Sequence, residues 1–132
     1  MKKLTLLSVA IVLSFASYSQ ATFYKVMHTY YRVYENKQWV QEKDHDTRNE
    51  DLYAIIDGSK IRFTNNAESS FVTYGSPIDN DYGTHTTTTW NAYDKSGNEC
   101  YLMIKQSSTE STNASILIMY DMQSFEFQIY KK

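Results

Sequence analysis

Residues 84–105 read THTTTTWNAYDKSGNECYLMIK, and their pattern decides the fold class. Thr84 to Tyr93 is a β-branched and aromatic run of the kind that suits a pleated, half-buried surface. Asp94-Lys95-Ser96-Gly97 follows, with Asp first and Gly fourth as a type I turn prefers. The return strand, Glu99 to Lys105, alternates: Cys100, Leu102 and Ile104 share one face, and Glu99, Tyr101, Met103 and Lys105 share the other. Two strands and a tight turn make an antiparallel hairpin.

The same grammar extends in both directions. Ala114 to Tyr120 is apolar on both faces, as a central strand requires, and Phe125, Phe127 and Ile129 mark one side of the last strand. Upstream, Thr22 to Tyr34 leads through Glu35-Asn36-Lys37-Gln38 into a return strand at Trp39 to Lys43. Asp44 to Asp51 is nearly devoid of apolar residues and reads as a solvated loop. Leu52–Ile56 and Lys60–Thr64 flank Asp57-Gly58, a hairpin dipeptide. Ser69–Tyr74 reads as a short strand, and Gly75–Gly83, with the only proline at Pro77, as a long loop. No window carries the i, i+3, i+4, i+7 recurrence of an amphipathic helix. The expectation is an all-β fold, a single antiparallel meander of about eight or nine strands. It closes into a small barrel-like, lipocalin-like form or folds into a two-layer sandwich, with the barrel preferred because sequential hairpins favour up-and-down connectivity.

The start of the chain has a different character. Lys2 and Lys3 precede the apolar stretch Leu4–Phe15, and small residues follow, the layout of a secretory signal peptide over residues 1–21. Cleavage is expected after Ser19 or Ala21, leaving 22–132 as one all-β domain. Leu4–Phe15 is too short to span a bilayer, which takes roughly 18 or more apolar residues. Removing Lys2 and Lys3 takes the formal charge from −2 to −4, a balance that gives no counter-ion logic for nucleic acid. Cys100 is the only cysteine, so no intrachain disulfide forms. Export without disulfides points to a bacterial periplasm or extracellular location.

Motifs that would carry catalysis are missing. There is no Gly-x-Ser-x-Gly elbow and no CxxC pair, and Cys100 shares a face with Leu102 and Ile104, where burial makes a thiol inert. Asp44-His45-Asp46, even with His28 and His85, lacks the spacings of a zinc site, and Asp79-Asn80-Asp81-Tyr82-Gly83 departs from the calcium-loop pattern. No cofactor or metal is expected. Glu42, Glu99 and Glu126 are expected to face solvent, and the threonine run at Thr84–Thr89 to lie near a sheet edge.

Aromatic residues make up 15% of the chain, with twelve tyrosines, and they are the remaining functional lead. In the first strand Tyr24, His28, Tyr30, Arg32 and Tyr34 fall on even positions, and this stripe is the expected ligand-binding surface. The expected function is that of an exported, non-catalytic, tyrosine-rich binding module for a partner protein or an envelope glycan. The competing readings are a lipocalin-like carrier of a small apolar ligand and a hydrolase whose carboxylate pair converges only in three dimensions.

Overall fold

The computed structural model describes residues 21–64, 69–110 and 113–130. Residues 1–20 of the expected signal peptide, with the cleavage site after Ser19, lie outside the described residues.

Among the described residues nine strands follow one another: β1 (Thr22–Glu35), β2 (Gln38–Asp46), β3 (Tyr53–Asp57), β4 (Lys60–Phe63), β5 (Ser70–Asp81), β6 (His85–Asp94), β7 (Glu99–Ser107), β8 (Asn113–Met119) and β9 (Gln123–Tyr130). All pairings are antiparallel. The sheet runs β2-β1-β3-β4-β5-β6-β7-β8-β9, and β1 also pairs with β9. That last pairing closes eight strands into a barrel and leaves β2 as one extra strand. The sandwich alternative is thereby settled in favour of the barrel.

Closure depends on β1 being long enough to serve three neighbours. Thr22–Lys25 pairs with β3, His28–Glu35 pairs with β2 on the same edge, and Lys25–Val33 pairs with β9 on the other edge. The β1–β2 hairpin turns on Asn36 and Lys37, both at positive φ (50° and 64°), the requirement of a two-residue type I′ turn. In the β6–β7 turn Gly97 adopts φ 86°, and its N–H donates to the Asp94 carbonyl. A side chain is strained in that conformation and glycine is not.

The interior is filled by alternate residues of the strands. Val26, Leu102, Ile116 and Ile118 are fully buried, with Ile61, Phe63, Phe71, Cys100 and Ile129 around them. Phe63 and Phe127 stack with centroids 3.9 Å apart. The expected alternation in β7 and β9 is what builds this core: Cys100 and Leu102 are buried, and Ile104, Phe125 and Phe127 pack against it.

Three local expectations differ from the structure. β2 extends to Asp46 rather than stopping at Lys43, because its partner β1 supplies the ladder and an edge strand needs no buried face. Its charged residues suit an edge, where they discourage pairing with another chain. Gly75–Gly83 is mostly strand: β5 continues to Asp81 across an irregularity between Tyr74 and Ile78 that contains Pro77, a position where the missing N–H breaks no regular ladder. The threonine run is not at an edge, since β6 is paired on both sides and Thr87 is buried.

A candidate binding cleft at the barrel rim

The five expected ligand-binding residues do not share one face. Val26 pairs with Ile129 and His28 with Gln128, so two residues of β1, Met27 and His28, oppose one of β9. This bulge resets the alternation. Tyr24, before it, packs against the core. His28, Tyr30 and Arg32, after it, stand opposite Gln128, Glu126 and Ser124 on the outer face. Tyr34 lies further along, beyond the β9 pairing, with its ring tilted against Trp39 of β2 at 5.3 Å.

The outer residues are engaged with one another. His28 stacks on Tyr30 at 4.5 Å, and the Arg32 guanidinium lies 5.2 Å from the Tyr30 ring centre. Arg32 donates to Glu126 at 2.8 Å, and the Ser115 hydroxyl donates to the other oxygen of Glu126 at 2.9 Å. His28 contacts Asp44 of β2. The chain of contacts ties β2, β1, β9 and β8 together across the outside of the barrel. Glu126, expected to face solvent, is instead half-buried within it.

A second concentration of aromatic residues lies at the end of the barrel that carries the β6–β7 and β8–β9 turns. A cleft of about 730 Å³ opens there, within the size range of about 300–1,000 Å³ typical of ligand sites. Tyr31, Tyr74, Tyr101 and Tyr120 line it together with Asn91, Asn98, Glu99 and Asp121. Tyr101 is 54% exposed and Tyr74 40%. Tyr74 of β5 stacks on Tyr93 of β6 at 4.7 Å, and Asn91 lies in register with both Tyr74 and Tyr101. Sequence reading placed Tyr101 on the outer face of β7 but had no means of bringing it beside Tyr74, which it assigned to a strand ending before the loop.

One wall of the cleft is held by Asp94. Its Oδ1 accepts N–H groups from Ser96 (3.0 Å) and Asn98 (2.8 Å), and its Oδ2 accepts the Tyr120 hydroxyl at 2.8 Å. Partial burial pushes the Asp94 carboxyl up, but these hydrogen bonds outweigh it and hold the group below its ordinary value. Burial, with the nearby Asp94 charge, pushes the Cys100 thiol up to about 11, while burial and then the hydrogen bond to Asp94 raise the Tyr120 phenol. The Tyr74 phenol is raised too, first by burial and then by its hydrogen bond with Tyr93 and the neighbouring Glu99. The cleft therefore presents the neutral phenols of Tyr74 and Tyr120 and an inert thiol beside the ionised carboxylate of Asp94.

Among the described residues no three His, Cys, Asp or Glu side chains converge as a metal site would require. His45 instead contacts Glu50 at 2.6 Å, and Asp46 pairs with Arg48, whose hydrogen bonds lower the Asp46 carboxyl to about 2.

No protein-family model, curated protein or solved structure matches this chain.

Proposed function

We propose that the domain is a non-catalytic module that binds a glycan in the rim cleft between the β6–β7 and β8–β9 turns. The observation that carries this reading is the composition of its wall: the exposed tyrosines Tyr74 and Tyr101 alternate with the amide and carboxylate groups of Asn91, Asn98 and Glu99. Sugar rings offer apolar C–H faces and a perimeter of hydroxyls. Tyrosine rings cover the first, and planar amides and carboxylates pair with the second. Export, expected from the N-terminal segment, would put envelope or extracellular glycans within reach.

The other readings have less support. A carrier needs an interior void, whereas the barrel axis is occupied by Leu102, Ile116, Ile118 and the Phe63–Phe127 stack. A general acid at the cleft would need a carboxyl held protonated near neutral pH, and Asp94 is shifted the opposite way.

The test is a glycan array probed with the labelled domain, followed by calorimetry on the sugars retained. Tyr74→Ala and Tyr101→Ala should each weaken binding at least tenfold, about 1.4 kcal/mol. Tyr30→Ala, on the outer stripe, should leave binding unchanged. Retention of full affinity by both cleft variants, or its loss only in the Tyr30 variant, would overturn the assignment.

A further inference from the structure

Every charged side chain on the wall of the cleft is acidic. Among the described residues Asp94, Glu99 and Asp121 line it, and no Lys, Arg or His does. The wall is thus one-sided in charge as well as aromatic, in a chain whose overall balance is already negative.

The three acids do not play the same part. Both oxygens of Asp94 already accept hydrogen bonds, from the turn behind it and from Tyr120, so that carboxylate contributes field rather than a contact. Glu99 and Asp121 are exposed. Glu99 follows the β6–β7 turn, Asp121 sits in the β8–β9 turn, and the Tyr101–Met119 pair lies in register between β7 and β8. Two carboxylates at the mouth of a tyrosine-walled cleft make a place where a cation is attracted twice, by the carboxylates and by the negative faces of the rings. The same wall repels a uronate or a sulfated sugar.

Building on the glycan reading, we propose that the cleft selects a glycan carrying free, protonated amines over its N-acylated, neutral or acidic counterparts. The amine occupies the mouth between Glu99 and Asp121, and the sugar ring rests on Tyr101. Acylating the amine removes its charge and all but one of its donors, leaving the ring contacts intact. Discrimination should therefore come from the carboxylates, and affinity in general from the tyrosines.

Calorimetry with three probes at mildly acidic pH separates these contributions: a glucosamine tetrasaccharide, its fully N-acetylated form, and a tetralysine peptide. The glucosamine oligomer should bind about tenfold tighter than the N-acetylated one, and the preference should shrink as salt is raised. The double variant Glu99→Gln, Asp121→Asn should erase that preference, the glucosamine oligomer losing far more affinity than the N-acetylated one. Equal or tighter binding of the N-acetylated oligomer would overturn the amine selection and leave the glycan reading standing. Tetralysine binding as tightly as the glucosamine oligomer would overturn it in favour of a general cation site. Binding of none of the three would overturn both.

Discussion

Removing the Asp94 carboxylate tests whether one side chain holds the cleft wall. In Asp94→Ala the Ser96 and Asn98 N–H groups lose their acceptor but lie in an exposed turn where water replaces it, a loss of roughly 0.5 kcal/mol each. The Tyr120 hydroxyl is half-buried and its 2.8 Å bond is to a charged acceptor, so its loss costs about 1 kcal/mol. The sum is about 2 kcal/mol, or a fall in Tm of about 8 °C for a domain of this size. Tyr120→Phe alone should cost about 1 kcal/mol, and the double variant should be less destabilised than the two singles added together. That difference, a coupling of about 1 kcal/mol, is the direct signature of the hydroxyl–carboxylate bond.

The pH dependence follows from the lowered carboxyl. A group depressed in the folded state stabilises above its unfolded value, here 3.8, and loses that contribution as pH falls through its folded value. The gap between wild type and Asp94→Ala should therefore persist from neutrality to about pH 4 and narrow below it. Urea denaturation followed by tryptophan fluorescence reads both quantities. A coupling under about 0.3 kcal/mol, or a gap that stays constant well below pH 4, would refute the account.

Other expectations concern the barrel itself. Leu102→Ala opens a void in a fully buried site and should cost about 3 kcal/mol in urea, whereas a loss under about 1 kcal/mol would contradict the packed interior. Cys100, raised to about 11 by burial and by Asp94, should resist a disulfide reagent in the folded protein and react promptly in urea; rapid labelling of the native form would show the thiol is accessible. Deleting Met27 should remove the bulge, keep Thr29, Tyr31 and Val33 facing inward, and preserve a dispersed amide NMR spectrum with reduced stability. Deleting Tyr30 should instead turn Arg32 and Tyr34 inward and collapse the spectrum; if both deletions behave alike, the assigned phase of β1 is incorrect.

Much of the fold was legible because strand signals are local. The β6–β7 hairpin needed only β-branched residues, an Asp–Gly turn and one alternating strand, and the structure returns it within two residues at each end. Errors fell where neighbours override local pattern. β2 carries charge through Asp46 and still forms strand, because β1 completes its hydrogen bonds. β5 crosses Gly75 and Pro77 because β6 pairs with it on the far side. The site was less legible than the fold. A single inserted residue at Met27 split the Tyr24–Tyr34 stripe between core and surface, and nothing in a strand with large rings on both faces announces a bulge.

By itself the chain determines that it folds as antiparallel β-structure with Cys100, Leu102, Phe125 and Ile129 inside, since alternation with period two leaves few other ways to bury them. Tertiary structure alone decides which tyrosines meet. Tyr74 and Tyr101 are 27 residues apart, and they come together because β6 lies between their strands and presents Asn91 to both. Consecutive antiparallel pairing puts the β6–β7 and β8–β9 turns at one end, and sheet closure through β1 and β9 then brings Tyr31 to the cleft between them.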